Sequence, residues 1–347
     1  MGHRKVPVEE SVGMVIPHDI TEIVPGEKKG PAFRKGHVIR REDIEHLKRL
    51  GKEHIYCLEL GPDDLHENDV AVRLAHAVSG ENIVWDKEIK EGKVGFRAAV
   101  DGIFKVDVDG LYELNLLGDI MLSTIHSNTV VRAGDSVAAG RAIPLVISSS
   151  IMEKAEEICR ARHGLITVDT WKIRRGAVVV TGREVFEGRV KDAFGQRMKE
   201  KLAAYGVITV SQVLAPDDPE RIAGEVRAAV DRGAEIVICT GGMSVDPDDV
   251  TRVGIRMAGA RDEVYGSPVL PGAMFLVAYL HGGIPVLGVP ACGMFFKITV
   301  LDLILPRVIA GERITREKIA ALGHGGLCLN CKRCRYPVCP FGKGGSG

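Results

Sequence analysis

EIVICTGG, residues 235–242, is a short apolar run that ends in a pair of glycines. Runs of this length with apolar residues on both faces are typical of strands buried inside a parallel sheet. AVVVTG at 177–182 has the same form, and a helix is predicted over 189–205 after it. A second helix is predicted over 219–232, with Asp218 placed to cap its first turn. This alternation of strand and helix predicts an α/β domain built on a parallel sheet.

The same alternation continues on both sides of these elements. Further predicted elements are a strand over 207–213, a helix over 248–259, a helix in PGAMFLVAYLHGG at 271–283, a strand in IPVLGVP at 284–290 and a helix within 293–311. We therefore predict a three-layer domain, with helices on both faces of its sheet, over residues 171–312.

The rest of the chain has a different pattern of predicted elements. Predicted helices at 42–50 and 68–78 place apolar residues at helical spacing, and Asp101-Gly102 and Asp109-Gly110 are hairpin-turn signals between strand-like runs. The predicted segments are a mixed α+β region at 1–90, a β-rich subdomain at 91–150, a connecting helix at 151–170, the α/β domain at 171–312 and a cysteine-rich tail at 313–347.

Composition and charge limit the classes of function that the chain is expected to have. The 347 residues contain 46 basic and 46 acidic side chains, so the net field gives no reason to expect nucleic-acid or membrane binding. No apolar run has the length of a signal peptide or a membrane span. Together with four scattered single cysteines, this predicts a protein of the reducing cytoplasm.

Small and polar residues follow three of the predicted strands. The loops are 181–184, which leads on to Asp192; 240–244, which is followed by Asp246, Asp248 and Asp249; and 288–293. Ligands of such sheets bind beyond the carboxyl ends of the strands, where glycine lets the backbone approach an anion and the next helix adds its dipole. Hydroxyl groups add donors, and carboxylates are hard ligands for a metal ion. By themselves the residues predict an α/β domain that binds a phosphorylated ligand.

Three motifs add a resemblance. TGREVFEGRVKDAFG, ICTGGMSVDPDDVTR and PVLGVPACGMF together resemble the molybdenum-cofactor biosynthesis domain shared by molybdopterin adenylyltransferases and molybdopterin molybdotransferases. The resemblance covers most of 171–312, and the Thr-Gly-Gly-x-Ser-Val stretch favours a shortened relative of the molybdotransferase branch. It implies molybdopterin, carrying a phosphate or adenylyl group, as the ligand. It also implies an assembly of several copies.

The resemblance also implies site residues. The cofactor-binding set is Thr181, Gly182, Glu184, Thr240, Gly241, Gly242, Ser244, Pro290 and Cys292. Asp192 and Asp249 match acidic residues that the family associates with Mg²⁺ or molybdate, and they are the candidate catalytic residues. The family usually has Pro-Gly-Asn where this chain has Pro290-Ala291-Cys292, so polar contacts are lost and pterin binding is better supported than molybdate insertion. Cys292 is interpreted either as a soft ligand for molybdenum or as a packed thiol.

The tail carries four closely spaced thiols. Cys328, Cys331, Cys334 and Cys339 follow the pattern Cys-x2-Cys-x2-Cys-x4-Cys, which resembles the bacterial ferredoxin run except for one residue in the last gap. The pattern predicts a metal site, with an iron–sulfur cluster favoured over zinc and a regulatory disulfide as a further alternative.

Two hypotheses of function follow. One is an enzyme that resembles molybdopterin molybdotransferase and promotes metal insertion. The other is a carrier or chaperone that holds the cofactor and docks a molybdoenzyme through the cysteine tail. A nucleotide-related hydrolase or transferase on the same fold remains a third alternative.

Overall fold

Buried valines and isoleucines form the centre of the largest sheet. A computed structural model describes residues 4–24, 28–58, 60–89, 91–244 and 249–344. The chain forms two compact units. The first contains residues 1–100, 106–125 and 132–168, and the second contains residues 101–105, 126–131 and 169–347. The second unit contains the predicted α/β domain and the cysteine tail.

The strands of the described residues are numbered in chain order. They are β1 (Arg4–Pro7), β2 (Ile20–Val24), β3 (Lys28–Phe33), β4 (His54–Cys57), β5 (Asp64–His66), β6 (Ile83–Trp85), β7 (Lys93–Ala98), β8 (Gly102–Val106), β9 (Ile120–Thr124), β10 (Thr129–Val131), β11 (Ser136–Ala142), β12 (Val146–Ser148), β13 (Ile166–Thr170), β14 (Arg175–Thr181), β15 (Ile208–Ala215), β16 (Ile236–Thr240), β17 (Arg261–Tyr265), β18 (Leu276–Tyr279) and β19 (Pro285–Val289).

The α-helices are numbered in the same way. They are α1 (Asp43–Arg49), α2 (Glu67–Val78), α3 (Val108–Leu116), α4 (Ser149–Arg160), α5 (Arg183–Phe186), α6 (Phe194–Ala203), α7 (Pro219–Asp231), α8 (Thr251–Met257), α9 (Cys292–Phe295), α10 (Val300–Ile309) and α11 (Arg316–Ala320). Short 3-10 turns lie at Val8–Glu10, His281–Gly283 and Ala321–Gly323. None of the helices that the structure describes is long and apolar enough to cross a membrane.

The second unit is built on one six-stranded sheet. Its strand order is β15-β14-β16-β19-β18-β17, in which the first four strands are parallel and the last two are antiparallel to their neighbours. Alternate residues along β14 and β16 enter two cores: α6 and α10 cover one face, and α7 and α8 cover the other. This confirms the predicted α/β class. It also places the ends of β14, β16 and β19 side by side at the carboxyl edge.

The first unit contains small antiparallel sheets. Its sheet of four strands has the order β6-β7-β11-β9, and the strand pairs β1–β4, β2–β3 and β5–β12 form separate ladders. Helices α2 and α4 pack their apolar stripes inside this unit, where Leu74 and Met152 are fully buried. The strand-rich N-terminal region is therefore confirmed.

Three predicted elements were wrong. Residues 271–283 contain the strand β18 instead of a helix, because Leu276–Tyr279 is buried on both faces between β17 and β19. Asp109-Gly110 is inside α3 instead of a hairpin turn, because the Asp107 carboxylate accepts the Gly110 N–H at 2.7 Å and caps the helix. Asp101-Gly102 also joins no hairpin, since β7 pairs with β6 and β11 whereas β8 pairs with β10.

Candidate functional site at the carboxyl edge of the sheet

Two consecutive glycines shape the loop after β16. Gly241 has φ +83° and Gly242 has φ +54°, a region that side-chain-bearing residues adopt rarely. A Cβ atom on Gly241 would lie 2.5 Å from the Thr181 carbonyl oxygen, and one on Gly242 would lie 2.5 Å from Thr251 Oγ1. Both positions therefore require glycine, and the backbone of this loop packs directly against the end of β14.

On the face of the sheet that α7 and α8 cover, hydroxyl groups form hydrogen bonds that join the end of β14, the end of β16 and the start of α8. Thr181 Oγ1 donates to the Thr240 carbonyl at 2.9 Å and is 2.7 Å from Thr251 Oγ1, and both side chains are buried. The Thr251 N–H also donates to the Gly242 carbonyl at 3.3 Å. Tyr265 Oη donates to the Met243 carbonyl at 2.7 Å. The loop is thus held by four hydrogen bonds before any ligand arrives.

Thr240 is the exception in this network. Its side chain is fully buried, and its Oγ1 has no hydrogen-bond partner among the described residues. Ile236 and Ile238 enter the core under α6 and α10, so alternation along β16 points Thr240 to that same face. An unpaired buried hydroxyl costs about 1–3 kcal/mol, which makes this atom a candidate donor to a ligand.

The first motif forms a short turn after β14. Gly182 has φ +140°, and the Arg183 N–H donates to the Asp217 carboxylate at 2.8 Å at the start of α5. Glu184 is exposed, and its carboxylate lies 3.2 Å from the position that a Cβ on Gly182 would take. Thr181, Gly182 and Glu184 therefore lie together at the edge where the 240–244 loop also lies.

Asp192 is a capping residue in this structure. Its Oδ1 accepts the N–H groups of Phe194 and Gly195 at 2.9 and 2.8 Å, at the first turn of α6. Its Oδ2 accepts from Gln212 Nε2 at 2.8 Å. Both carboxylate oxygens already have partners, so the geometry assigns Asp192 to holding the start of α6.

The third motif is attached to α6. Arg197 donates to the carbonyls of Met294 and Phe296, which fixes the turn that contains α9. The Gly293 N–H donates to the Pro290 carbonyl at 2.9 Å, and a Cβ on Gly293 would press against the Phe194 ring. Burial raises the pKa of the half-buried Cys292 thiol. These contacts favour a packed thiol over a metal ligand.

Ser244 and Asp249 stand on either side of residues 245–248. Ser244 is exposed and Asp249 is half-buried. Asp246 and Asp248, which the sequence places in the same loop, lie outside the described residues. The described part of the second motif, which ends at Ser244, therefore lies beside the first motif.

The four tail cysteines border a single cavity. Cys328 and Cys339 are half-buried against the core under α10, whereas Cys331 and Cys334 are exposed. Lys332, Arg333 and Arg335 border the same cavity. Within the part of the chain that the structure describes, no three His, Cys, Asp or Glu side chains are arranged to hold a metal ion. The tail brings the thiols to one cavity without forming a closed ligand set.

The three remaining cysteines are buried in the cores. Burial raises the pKa of Cys57 to about 11 and the pKa values of Cys159 and Cys239 to about 12. These three thiols therefore act as packing residues in the cores.

Comparison with known families decides the class of the α/β domain. Residues 177–310 match the family described as "Probable molybdopterin binding domain". Those residues belong to that domain family. The resemblance found in the three motifs is thereby confirmed for the domain. Residues 5–59 match a separate domain of unknown function (DUF8806).

Individual relatives are similar over a limited part of the chain. A CinA-like protein of Mycobacterium avium is 35% identical over 77 residues, which are 22% of this chain and 18% of that protein. A CinA-like protein of Thermosipho melanesiensis is 26% identical over 113 residues, 33% of this chain and 28% of that protein. The matched residues thus span 18% to 28% of the length of these curated relatives.

Solved structures are similar over the family domain. The CinA protein of unknown function from Thermoplasma acidophilum has 16% identity and a TM-score of 0.35, covering 40% of this chain and 98% of its own. The molybdopterin biosynthesis enzyme MoaB of Thermus thermophilus has 21% identity and a TM-score of 0.34, covering 40% of this chain and 98% of its own.

Sequence reasoning did not find three supporting residues of the family domain. Thr251 contacts Thr181, which is 70 positions away, and Arg197 contacts Met294, which is 97 positions away. Gln212 donates to Asp192. A lone threonine or arginine on a predicted helix gives no signal of such a contact. Only the positions of the glycines indicated where the backbone comes close.

Proposed function

We propose that residues 171–312 bind molybdopterin or its adenylylated form at the carboxyl edge of the sheet, and that the protein takes part in molybdenum-cofactor assembly. The observation that carries this proposal is the buried Thr240 hydroxyl, which has no partner among the described residues and lies next to a loop whose glycines require a close backbone approach. The domain family supports the choice of ligand. The names of the MoaB-type neighbours agree with it.

The loop 240–244 would receive the phosphate end of the ligand. The glycines at positive φ would let the backbone approach the phosphate closely, and the hydroxyl groups of Thr240 and Ser244 would add donors. Pro290 and Cys292 would then border the pterin on the side of α9. Because the loop is already hydrogen-bonded at its base, binding would order few additional groups.

Binding is better supported than metal insertion. Of the two candidate catalytic aspartates, Asp192 uses both oxygens to hold α6 and Gln212. The described residues contain no arrangement of three carboxylates or other ligands for Mg²⁺. The described part of the site therefore presents no ligand set for a resident Mg²⁺ or molybdate ion, and we derive no reaction step through either. These contacts favour the carrier hypothesis. A homo-oligomer as the assembly is proposed from the family resemblance alone.

We further propose that the tail is a metal site. Four cysteines around one cavity, with three cationic side chains beside them, suit an anionic thiolate centre. An iron–sulfur cluster remains our first expectation and zinc the alternative. A metal would have to draw the exposed Cys331 and Cys334 toward Cys328 and Cys339. A molybdoenzyme docking at this tail belongs to the same proposal.

The test of the pterin site is Thr240→Val, which keeps the shape of the side chain and removes the hydroxyl. We expect the affinity for molybdopterin, measured anaerobically by pterin fluorescence, to fall about tenfold, the effect of one lost hydrogen bond. Stability should not fall, because the hydroxyl has no partner in the unliganded protein. Thr209→Val, at the opposite edge of the sheet on β15, is the matched control and should bind normally.

Equal affinity of the two variants would remove Thr240 from the site. Retention of ATP or GMP in place of molybdopterin would favour the nucleotide alternative. Asp249→Ala separates the two main hypotheses, because a carrier keeps pterin binding in that variant whereas an insertase loses turnover.

A further inference from the structure

A second polar cavity lies beyond the C-terminal end of α10. Its volume is about 240 Å³, and all its residues belong to the second unit. The Lys172 N–H bonds to the carbonyl of Ile309, the last residue of α10, just before β14 begins. The cavity is therefore near the end of the sheet where the parallel strands start. The candidate pterin loop follows the other end.

One carboxylate in this cavity is shared by three cations. Glu312 accepts from Arg307 Nη2 at 2.6 Å and Nε at 3.0 Å and from Lys105 Nζ at 2.6 Å, and it forms an ion pair with Lys318 Nζ at 2.8 Å. The charge-assisted bonds from Arg307 and Lys105 hold the pKa of Glu312 far below its usual range in spite of its burial. Its two oxygens are fully used, so Glu312 neutralises at most one of the three cations.

The cavity has an excess of positive charge. Lys105, Arg307, Lys318 and Lys343 line it together with the carboxylates of Glu312 and Glu317, so four cations face two anions and leave a net charge of +2. Arg307 is buried and the Lys105 side chain is 23% exposed. Cations held this close in a partly buried site repel one another, and an added anion would relieve that repulsion.

Donors remain for a ligand. Lys343 Nζ donates to Thr129 Oγ1 at 2.9 Å, a neutral partner, and its half-buried position lowers its pKa. Lys105 Nζ uses two of its three N–H groups on Asn128 and Glu312. Lys318 Nζ donates to the Arg313 carbonyl at 3.0 Å and points a second N–H group toward Glu312 in an ion pair. Each lysine ammonium has three N–H donors, so the contacts among the described residues leave about four N–H groups of these lysines available to a ligand.

We propose that this cavity binds a small tetrahedral dianion, such as phosphate or molybdate. The volume exceeds that of one such ion and leaves room for bound water. The charge excess of +2 matches a dianion, and ammonium groups on several sides suit oxygens that point in several directions. The proposal is independent of pterin binding, because it involves none of the residues at the carboxyl edge.

The cysteine tail supplies one wall of this site. Tyr336, Phe341, Gly342 and Lys343 come from the segment that follows Cys334, and the Tyr336 and Phe341 rings pack at 6.3 Å. Cys339 is close enough to act on the charge of Lys343. Anion affinity therefore depends on the position of the tail, and a metal that pulls on Cys339 would change it.

The experiment measures the thermal midpoint of the full chain against the concentration of inorganic phosphate, with sodium chloride added to hold the ionic strength constant. We expect saturable stabilisation by phosphate that Lys343→Met weakens about tenfold, as for a lost charge-assisted contact. Lys343→Arg should retain most of it. Lys332→Met removes a tail lysine that borders the cysteine cavity instead, and it should respond like the wild type.

Three outcomes would overturn the proposal: stabilisation no greater than that of chloride at equal ionic strength, a response without saturation, or equal loss in Lys343→Met and Lys332→Met. A parallel titration with molybdate separates the two sources of the dianion. Tighter binding of molybdate identifies the metal oxyanion as the ligand, and tighter binding of phosphate identifies phosphate. If Lys343→Met lowers the midpoint without ligand, Lys318→Met gives the same test from α11.

Discussion

The loop 240–244 and the cysteine tail 328–339 are both motifs of closely spaced small residues, yet the protein supports them differently. The loop rests on buried threonines, its glycines touch the backbone of β14, and one buried hydroxyl is left for a ligand. The tail is attached at Cys328, whose N–H donates to the Leu270 carbonyl at 2.8 Å, and at Tyr336, and two of its thiols face solvent. The proposed pterin site is therefore formed before a ligand binds, whereas the proposed metal site requires a ligand to complete it.

The largest expected effect tests the tail. Anaerobic reconstitution with iron and sulfide, or with zinc, should load one centre per chain, because binding by four thiolates is worth on the order of 10 kcal/mol. Cys331→Ser combined with Cys334→Ser should abolish loading, as measured by metal analysis and absorption. Cys292→Ser is the control outside the tail. Loading that survives the double substitution would contradict the four-cysteine centre.

An intermediate effect tests the rigid base of the loop. Gly241→Ala places a Cβ 2.5 Å from a backbone oxygen at positive φ, and Gly206→Ala meets nothing within 4 Å at φ +74°. Both variants lose about 1 kcal/mol for the backbone conformation, and Gly241→Ala should lose a further 1–3 kcal/mol, roughly, for the clash. Urea unfolding measures the difference. Equal losses would mean that the loop is free to move away from β14.

The smallest effect compares the hydrogen bonds of two tyrosines. Tyr265→Phe removes a bond of 2.7 Å to the Met243 carbonyl in the loop, and Tyr336→Phe removes one of 3.3 Å to the Asp302 carbonyl under the tail. We expect a loss of about 1 kcal/mol for Tyr265→Phe and less for Tyr336→Phe, because the longer bond is weaker. Unfolding free energies decide the order. A larger loss for Tyr336→Phe would show that the tail is the better anchored region.

The sequence predicted the parallel part of the sheet because its strands are apolar on both faces and are separated by capped helices. β14 and β16 and the Asp218 cap of α7 have these signals in full, and Asp218 does accept the N–H groups of Glu220 and Arg221. The family motifs then placed the loops at the correct edge. Local pattern was sufficient wherever local contacts determine the structure.

Prediction from the sequence failed where a partner that is distant along the chain decides the conformation. LVAY at 276–279 is a strand because β17 and β19 flank it, and a short apolar run cannot distinguish this from a buried helix. Asp192 matches an acidic position of the family motif, and its contacts with Gln212 and the start of α6 could not be read from the sequence. The role of Thr240 was implied by the resemblance, whereas its lack of a partner depends on the packing around it.

The burial of Cys57, Cys159 and Cys239 makes the protein convenient for chemical labelling. Alkylating reagents attack the thiolate, and thiols with pKa values of about 11 to 12 contain roughly one thiolate in a thousand or fewer at pH 8. A short pulse of iodoacetamide on the native chain should therefore modify the exposed Cys331 and Cys334 first and leave these three core positions unmodified. Peptide mass spectrometry would then read the occupancy of the tail directly, without removal of any native cysteine.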